Sequence, residues 1–543
     1  MEFNLADVFE GVAAAVPDRE AIVWGDMRLT YADLDQRSNR LANVLHDAGL
    51  GAHTSRDGLG GHETHQDHLA VYLYNGNEYL EAMLAGFKAR VAPFNVNYRY
   101  VEEELRYLLA NCKASAIVFD GRFAETLAAV LPDLPQLKTL IQVGDEPLLE
   151  GAIAYEDAIA AASPEPADVE RSPDDLYILC TGGTTGMPKG VLWRQADIYM
   201  GSMGGRDLAS GQEFDSLEAV VANAANGGGA KMLPAPPFMH GAGHWMAFNA
   251  FNSGNTVVIQ DEVTRLEPDE VWQLVEREGV NILLIVGDAF GRPLVDALEA
   301  GSYDASSLLA VVSGGAPLNS TLKDRFLAQL PTAMIMDAVG ASETGSQMSH
   351  VSAAGAKAST GTFTPGPGAV VVSAEMDAVL TAGHEGNGWL AQQGRVPLGY
   401  LGDADKTART FPVIDGVRYA VPGDRARLTA EGDIELFGRD SVTINSGGEK
   451  IFAEEVEQAL AHHPDVFDVV VAGRPSEKWG NEVVAIVQCR DGITPDEESL
   501  IAEASTHIAR YKLPKAFVFV EAVVRSPAGK ADYRWAKEQA TQT

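Results

Sequence analysis

Residues 181–190 carry the side chains whose types and spacing most clearly suggest chemistry, and they run Thr-Gly-Gly-Thr-Thr-Gly-Met-Pro-Lys-Gly. Glycines in such a run let successive backbone N–H groups turn toward one anion. The threonines add hydroxyl donors, and Lys189 adds a positive charge. The segment therefore predicts a phosphate-binding loop. The expected contacts are Thr181, Gly182, Gly183, Thr184, Thr185 and Lys189.

The position of this loop supports the prediction, although its pattern is not that of a Walker loop. The apolar run at 176–180 predicts a buried strand, and open α/β sheets bind ligands at the carboxyl ends of their strands. A Walker loop has lysine directly after its last glycine, whereas Met187 and Pro188 separate Gly186 from Lys189. Composition alone leaves an ordinary surface loop as the alternative.

Length and charge limit the classes of protein to which the chain can belong. Its 543 residues are too many for one hydrophobic core, so about two to four domains are expected. With 41 basic and 76 acidic side chains, the net charge is −35. Phosphate backbones and anionic bilayers repel such a chain, and no basic cluster offsets the charge. Nucleic acid is therefore not an expected partner.

The cysteines and the chain start favour a cytoplasmic protein. Cys112, Cys180 and Cys489 lie far apart without metal-binding spacing, which predicts free thiols in a reducing compartment. The first residues have neither a basic segment nor a long apolar one. The sequence has no apolar run of about 18 residues, so no transmembrane segment is expected.

Strand-like and helix-like segments alternate between residues 69 and 340. Apolar runs predict strands at 69–74, 115–119, 139–143, 256–260, 281–286 and 308–312. Amphipathic runs predict helices at 78–88, 123–130, 269–278 and 289–298. This alternation is typical of parallel sheets flanked by helices.

Two other regions stand outside this alternation. Residues 54–68 are polar and contain His62, His65 and His68; a mobile surface insertion is favoured there over a metal site. From residue 438 onward the pattern predicts a small unit with helices at 453–462 and 498–510 and strands at 469–472, 483–488 and 516–520. We place the domain boundary between Phe437 and Gly438, since about 105 residues are enough for one small domain.

Further motifs follow the Gly/Thr loop along the chain. They lie at residues 237–243 (Pro-Phe-Met-His-Gly-Ala-Gly), 313–317 (Ser-Gly-Gly-Ala-Pro), 337–344 (Asp-Ala-Val-Gly-Ala-Ser-Glu-Thr), 421–424 (Val-Pro-Gly-Asp), 438–451 and 526–530 (Ser-Pro-Ala-Gly-Lys). Together they resemble the adenylate-forming superfamily of acyl-CoA synthetases, firefly luciferase and peptide-synthetase adenylation domains. The resemblance extends from residue 16 to residue 530. Segments 287–293, 419–424 and 532–538 are most similar to actinobacterial fatty-acyl and steroid-acyl CoA synthetases.

The resemblance implies both a fold and a reaction. The fold is α/β: a large N-terminal domain of helix-flanked, mostly parallel sheets plus a distorted β-barrel, and a small mobile α+β C-terminal domain. The reaction is ATP-dependent activation of a hydrophobic carboxylic acid to acyl-AMP and pyrophosphate, followed by transfer to CoA. ATP, CoA, Mg²⁺ and the acid are the implied small molecules, and a homodimer is left open.

The resemblance also assigns roles to residues. Lys530 would offset charge at the α-phosphate and carboxylate, Ser342 would hydrogen-bond the α-phosphate, and Glu343 would bind Mg²⁺. Asp424 would accept hydrogen bonds from both ribose hydroxyls. The other implied ATP or AMP contacts are Gly314, Gly315, Ala316, Asp337, Ala338, Val339 and Arg439.

The acyl and CoA sides are implied in the same way. His240 would lie near the substrate carboxylate, with direct catalysis left open. The implied acyl-pocket residues are Phe238, His240, Gly241, Trp245, Gly287 and Gly315, with the side chains of Phe238 and Trp245 forming either tunnel wall or core. Ser446, Gly447 and Gly448 would lie on the CoA side, where the two glycines would leave room for the pantetheine arm of CoA.

Three positions depart from the family pattern. Val339 replaces the common adenine-stacking tyrosine, and Pro422 replaces a threonine before the ribose-binding aspartate. The hinge position, usually Asp or Lys, falls at Val442 or Ser441, which puts the efficiency of the CoA step in doubt.

Other functions therefore stay open alongside a CoA synthetase. One is an adenylating enzyme that passes its acyl group to a carrier protein or partner enzyme. A catalytically silent nucleotide-binding regulator and a luciferase-type oxygenase are further alternatives. Retention of Lys189, Glu343, Asp424 and Lys530 argues against the silent regulator.

Overall fold

A computed structural model describes most of the chain. The described residues are 1–183, 186–207, 210–355, 361–439, 442–446, 449–476, 480–490, 492–493, 496–508, 510–526 and 529–542. Side chains are described at these positions except 182, 183, 186, 187, 439, 445, 449, 450 and 480.

Helices occur along the whole described chain. The first eight are α1 (Leu5–Ala15), α2 (Tyr31–Asp47), α3 (Asn77–Lys88), α4 (Glu102–Asn111), α5 (Ala124–Val130), α6 (Tyr155–Ala161), α7 (Gln195–Ser202) and α8 (Leu217–Gly227). The following eight are α9 (Gly241–Asn252), α10 (Pro268–Glu278), α11 (Gly287–Ala300), α12 (Ser320–Gln329), α13 (Ala404–Thr410), α14 (Ala453–Ala461), α15 (Glu497–Ser505) and α16 (Tyr533–Gln542).

The strands are named here in chain order. Up to residue 194 they are β1 (Glu20–Trp24), β2 (Met27–Thr30), β3 (His68–Tyr72), β4 (Ala92–Asn95), β5 (Ala114–Asp120), β6 (Thr139–Val143), β7 (Ile153–Ala154), β8 (Leu176–Gly183) and β9 (Gly186–Arg194). Up to residue 400 they are β10 (Lys231–Pro234), β11 (Thr256–Ile259), β12 (Ile282–Ile285), β13 (Ala310–Gly314), β14 (Met334–Ala341), β15 (Gly345–Ala353), β16 (Thr362–Pro365), β17 (Ala369–Val372), β18 (Gly388–Gln393) and β19 (Gly399–Tyr400). The remaining ones are β20 (Val413–Ile414), β21 (Val417–Ala420), β22 (Asp424–Leu428), β23 (Ile434–Arg439), β24 (Thr443–Ser446), β25 (Glu449–Phe452), β26 (Val466–Ser476), β27 (Gly480–Cys489) and β28 (Ala516–Val520).

The largest sheet combines a parallel part with an antiparallel part. Its strand order is β2-β1-β11-β10-β12-β13-β14-β15-β16-β23-β22-β18-β21-β20, with β17 paired to β18. The neighbours from β1 to β14 are parallel, and those from β14 onward are antiparallel. In the parallel part, the sequence pattern predicted β11, β12 and β13 but not β1, β10 or β14. The antiparallel part lies in the later, glycine-rich region of the chain.

A second sheet carries the Gly/Thr segment. Its order is β19-β9-β8-β4-β3-β5-β6-β7, and it is parallel except at β8–β9 and β9–β19. The predicted strand at 176–180 is confirmed as part of β8. Strands β8 and β9 form an antiparallel pair on either side of residues 184 and 185, which lie outside the described residues. Thr181 and Lys189 are register partners in this pair.

The C-terminal residues form a smaller sheet of their own. Strand β23 ends at Arg439 in the large sheet, and β24 begins at Thr443 in a sheet of order β25-β24-β27-β26, with β28 parallel to β27. Helices α14 and α15 contribute Val456, Leu460 and Leu500 to its buried core. The domain boundary between residues 437 and 438 stays a prediction.

The helices that support the site pack tightly on the parallel strands. In α10, α11 and α12 the apolar residues recur at helical spacing and bury one stripe against β12 and β13. Trp272 of α10 is fully buried, and its indole N–H donates to the carbonyl oxygen of Leu294 in α11 at 2.8 Å. This packing holds the carboxyl ends of β12, β13 and β14 in fixed relation.

The expectation of a mobile surface insertion at 54–68 is wrong for its second half. His65 and His68 are buried, and His68 begins strand β3. His65 Nε2 lies 3.7 Å from a carboxylate oxygen of Asp175, and the His68 ring contacts the carbonyl oxygen of Cys112. Burial lowers the pKa of His68 to about 4, so its ring is neutral. Within the described ranges, no group of three or more His, Cys, Asp or Glu side chains is arranged to bind a metal ion.

Candidate active site

A cavity of about 360 Å³ collects motif residues that are far apart in the sequence. Its walls come from the ends of β13 and β14, from the start of β22, and from α14 and the C-terminal segment. The sequence-predicted residues that line it are Gly315, Ala316, Asp337, Ala338, Val339, Asp424 and Lys530. The structure thus brings together residues from four motifs at the carboxyl ends of parallel strands, where α/β sheets bind ligands.

The start of α11 holds the loop at residues 313–317 in place through hydrogen bonds. The backbone N–H of Gly287 donates to Ser313 Oγ at 3.0 Å, and that of Asp288 donates to the carbonyl oxygen of Pro317 at 3.0 Å. Gly287 has a φ of +48°, and a β-carbon there would lie 2.4 Å from the Pro317 oxygen. Only glycine leaves the loop this close to the helix. Gly287, predicted in the acyl pocket, therefore packs against the loop that lines the cavity.

Asp337 forms an ion pair as well as lining the cavity. Its carboxylate Oδ2 lies 2.5 Å from Lys323 Nζ, and the Lys323 side chain is fully buried. Burial raises the pKa of Asp337, and the Lys323 ammonium opposes this rise. One carboxylate oxygen of Asp337 is therefore engaged with α12.

Lys530 reaches the cavity from the small C-terminal unit. A β-carbon placed at Gly315 would lie 3.9 Å from Lys530 Cε, which puts the lysine stem beside the 313–317 loop. The lysine is exposed rather than buried in the protein core. Lys530 is also one of the residues that line the cavity.

His240 is neutral and has a buried, unsatisfied ring nitrogen. It precedes α9, and its Nε2 makes no hydrogen bond to any described residue although it is buried. Burial lowers the pKa of His240 to about 3, with a further contribution from the Lys530 charge. Buried polar atoms are normally hydrogen-bonded, so an orphaned nitrogen at this position suits a ligand atom.

The residues predicted at the phosphate and metal end lie beside β9. Lys189 Nζ is 2.7 Å from Asp403 Oδ2, and the Tyr400 hydroxyl donates to Glu343 Oε1 at 2.6 Å. The carbonyl oxygen of Ser342 accepts the indole N–H of Trp193 at 2.9 Å. Among the described residues, the cavity lining does not include Lys189, Ser342, Glu343 or His240. Tyr400 and Asp403 were not indicated by the sequence.

For the other predicted site residues, the structure describes either the position in a strand or nothing at all. Thr181 is partly buried on β8, whose last residues are Gly182 and Gly183, and Gly314 ends β13 opposite Ala338. Arg439 pairs with Asp424 through the backbone of β23, but its side chain lies outside the described part. Ser446 is buried on β24. Thr184, Thr185, Gly447 and Gly448 lie outside the described residues, as do Asp440 and Ser441 near the predicted hinge.

The predicted acyl-pocket residues fall into two groups. Phe238 is buried against Tyr79, with ring centroids 5.6 Å apart, and belongs to the hydrophobic core. Trp245 is partly exposed on α9, and its indole N–H donates to the Tyr177 hydroxyl at 3.0 Å. A β-carbon at Gly241 would lie 3.2 Å from this indole, so Gly241 and Trp245 are neighbours. Gly315, by contrast, lines the cavity of about 360 Å³, and Gly287 packs against the 313–317 loop.

Several cavity residues come from the small unit and were not predicted. They are Glu454, Glu455, Glu457, Arg525 and Tyr533. Arg525 binds both carboxylate oxygens of Asp468 at 2.6 and 2.7 Å. Arg525 directly precedes the 526–530 motif, and this position was the sequence signal that could have indicated it.

Glu457 makes the stability of this region dependent on pH. Burial raises its pKa from 4.5 to about 8, although the Val471 N–H donates to it at 2.8 Å. Between those values the folded state holds a proton that the unfolded state releases, so the free energy of unfolding falls as pH rises. We expect Glu457→Gln to raise the melting temperature at pH 9 and change it little at pH 5. Differential scanning fluorimetry at both pH values measures this.

The matched control is Glu498→Gln, an equal change in charge at an exposed position of α15. It should leave the pH dependence of the melting temperature unchanged. Equal melting temperatures for Glu457→Gln and the parent at pH 9 would show that Glu457 does not titrate as described.

The family models define the class of protein. The model for the AMP-binding enzyme matches residues 9–401, and that for the AMP-binding enzyme C-terminal domain matches residues 455–530. The chain therefore belongs to the AMP-binding enzyme family.

Individual relatives match nearly the whole chain. The medium-chain acyl-CoA ligase Mig of Mycobacterium avium is 58% identical over 541 residues, which cover 99% of this chain and 98% of the relative. The medium/long-chain-fatty-acid–CoA/3-oxocholest-4-en-26-oate–CoA ligase of Mycobacterium tuberculosis H37Rv is 43% identical over 545 residues, which cover 99% and 96%. The prediction of an ATP-dependent, AMP-forming acid–thiol ligase is confirmed.

A solved structure confirms the fold class. The anthranilate CoA ligase AuaEII in complex with anthranoyl-AMP superposes with a TM-score of 0.82 at 20% identity, covering 100% of this chain and 98% of that one. The large N-terminal and small C-terminal domains of an adenylate-forming enzyme are thus present. Within the described ranges, none of the helices combines the length and apolar character needed to cross a lipid bilayer. A cytoplasmic location and a homodimer stay predictions.

Proposed function

We propose that the cavity between the 313–317 loop and Lys530 binds ATP and forms the acyl-adenylate of a medium- or long-chain fatty acid or a bulky polycyclic acid. The observation that carries this proposal is the convergence of Ala338, Asp424 and Lys530 on one cavity of about 360 Å³. The names of the relatives support the substrate class.

The nucleotide-side roles follow from the chemistry of the lining. Asp424 is a charged bidentate acceptor suited to the two ribose hydroxyls. Gly315, Ala316, Ala338 and Val339 offer backbone groups and small apolar surfaces to the adenine ring. Val339 carries no aromatic ring, so this position would offer adenine an aliphatic contact.

Lys530 and His240 would act at the reacting atoms. An anionic carboxylate approaches a polyanion in the first step, so a positioned ammonium lowers the barrier mainly by offsetting charge. The neutral His240 ring can donate one hydrogen bond from its buried Nε2 to the carboxylate of the acid. A cationic ring is not needed there because Lys530 supplies the charge.

Glu343 and Ser342 would serve the phosphate groups. Glu343 uses one lone pair of Oε1 to accept the Tyr400 hydroxyl, and a carboxylate has further oxygen lone pairs that suit Mg²⁺. When bound, Mg²⁺ neutralises charge on phosphate oxygens. Ser342 would donate its hydroxyl to the α-phosphate, and Lys189 with Thr181 would bind the pyrophosphate part.

The small C-terminal domain would turn about residues 438–443 for the CoA step. Val442 packs on the core of that domain, and hinge residues can be of many types because they absorb backbone rotation. Ser446 would then lie on the CoA side. The apolar side chain of Val442 would therefore affect the CoA step more directly than the adenylation step.

The test is a pyrophosphate-release screen on the purified protein with ATP and Mg²⁺. Acetate, octanoate, palmitate, benzoate and a sterol carrying a side-chain carboxylate are each supplied alone, and then with CoA. We expect the largest acid-dependent release with octanoate, palmitate or the sterol acid, and a matching thioester by mass spectrometry when CoA is present. Preference for acetate or benzoate would overturn the substrate class. Acyl-AMP without thioester would favour transfer to a carrier protein or partner enzyme.

A further inference from the structure

Lys189 is engaged by a carboxylate that no motif indicated. Its ammonium lies 2.7 Å from Asp403 Oδ2, and both side chains are about one-third exposed, at 35% and 32%. The Lys189 hydrogen bond holds the pKa of Asp403 below its usual range. The Asp403 carboxylate is therefore ionised under ordinary conditions, and solvent or a ligand can reach both side chains.

Asp403 is fixed in place independently of Lys189. Its other oxygen, Oδ1, accepts the backbone N–H of Lys406 at 2.9 Å and caps the N-terminus of α13. The Thr407 hydroxyl donates to the Asp403 carbonyl oxygen at 2.7 Å. Of the two partners, the carboxylate is thus the more restrained, and the long lysine side chain is the one that can move.

The turn that carries Asp403 is joined to the strand that carries Lys189. Strand β19 pairs with β9, and the N–H of Leu401 donates to the carbonyl oxygen of Gly190 at 2.9 Å. Three residues before Asp403, the Tyr400 hydroxyl donates to Glu343 Oε1 at 2.6 Å. One turn therefore contacts both the lysine and the carboxylate proposed for the phosphate and metal end of ATP.

We propose that Asp403 is a positioning residue for Lys189 and acts as an internal substitute for phosphate. It occupies the ammonium in the absence of nucleotide, and the phosphates of ATP must compete with it for Lys189. This inference rests on the proposed role of Lys189 in binding the pyrophosphate part. It deepens that role by naming a residue that lowers affinity at the same position.

The negative charge of Asp403 opposes the binding of phosphate groups beside Lys189. The Lys189–Asp403 pair has no net charge, whereas Lys189 beside a neutral residue contributes a full positive charge toward a polyanion. Removing the Asp403 charge should thus tighten binding of both ATP and pyrophosphate. Without the Asp403 charge, pyrophosphate should also be released more slowly for the same reason. The Asp403 carboxylate therefore favours the departure of pyrophosphate.

The test uses Asp403→Asn in the full-length protein. Asparagine caps helices as well as aspartate does, so the start of α13 is retained while the charge is lost. We expect the KM for ATP in acid-dependent pyrophosphate exchange to fall about twofold to fivefold, the range for a partly exposed ion pair. The inhibition constant for pyrophosphate should fall by a similar factor. Calorimetric titration with ATP, without acid, should show the same tightening at equilibrium.

The decisive comparison is a double-mutant cycle with Lys189→Met. In the Lys189→Met background, Asp403→Asn should no longer tighten binding, because its effect acts through the ammonium. Asp405→Asn is the matched control: it makes the same charge change at an exposed position in the first turn of α13. It should leave both constants unchanged.

The outcomes separate this inference from the proposed function. A KM for ATP that is unchanged or raised in Asp403→Asn overturns the inference, as does equal tightening with and without Lys189. If Lys189→Met alone leaves ATP and pyrophosphate binding unaltered, the proposed role of Lys189 itself fails. Tightening by Asp405→Asn to the same degree would show a general effect of net charge and would also overturn the inference.

Discussion

Replacing Lys530 by alanine is expected to slow acyl-AMP formation by about 10²-fold or more, which is the usual effect of removing one preorganised donor. The lysine lines the cavity and lies beside the 313–317 loop, and its charge contributes to the lowered pKa of His240. Without it, the negative charge that gathers between carboxylate and α-phosphate is offset less well. Acid-dependent exchange of labelled pyrophosphate into ATP measures this step alone.

The control for this prediction is Lys537→Ala, which removes an exposed lysine from α16 of the same small domain. It should exchange pyrophosphate at the parent rate. Lys530→Ala should still convert chemically prepared acyl-AMP to thioester when CoA is added, because its loss affects the first step. An unchanged rate of pyrophosphate exchange in Lys530→Ala would show that the assignment of Lys530 is wrong.

Replacing Gly287 by alanine is expected both to distort the proposed nucleotide cavity and to destabilise the folded protein. The new β-carbon would lie 2.4 Å from the Pro317 oxygen and 2.8 Å from the Ala316 β-carbon, so the loop must move. Overpacking and the left-handed backbone together should lower the free energy of unfolding by about 2–4 kcal/mol. A displaced loop should also raise the KM for ATP about tenfold, equivalent to about 1.4 kcal/mol.

A second glycine separates the contact from the backbone strain. Gly279, at the end of α10, has a φ of +66° and nothing within 4 Å of the position its β-carbon would take. Gly279→Ala should therefore cost only the left-handed strain, about 1–2 kcal/mol, and leave the KM for ATP unchanged. Urea unfolding and ATP titration of both variants measure the two effects. A normal KM in a folded Gly287→Ala protein would exclude Gly287 as the support of the loop.

Some of the parallel strands, β12 and β13 among them, and the motifs at their ends could be predicted because each is a local signal. Apolar runs such as those of β12 and β13 are bounded by glycine or polar residues, so their type and approximate ends follow from the pattern. The motif at 313–317 overlaps the end of β13, and the motif at 337–344 begins within β14. Their meeting in one cavity is therefore a consequence of neighbouring parallel strands.

The partners of Lys189 and Glu343 could not be predicted, because they depend on contacts between distant parts of the chain. Tyr400 ends strand β19 and Asp403 caps helix α13 without any catalytic pattern around them, and the pairing of β19 with β9 brings this segment to Lys189. The prediction of a mobile surface insertion at 54–68 was wrong in its second half for a related reason. His65 and His68 look solvent-exposed in sequence, but Asp175 and the Cys112 carbonyl oxygen, both far along the chain, provide polar partners in the interior.

The pairing of β19 with β9 also has a consequence for the order of folding. Lys189 and Asp403 are 214 positions apart in the chain, and the strands that bring them together cannot join until both have been synthesised. Closing so large a loop costs entropy before the contact returns any stability, and sheets with distant pairings fold slowly. During synthesis, β9 must wait as an exposed sheet edge beside β8 for most of the large domain to emerge. Strand β19, which brings Asp403 to Lys189, thus also covers the edge of β9 and protects it from aggregation.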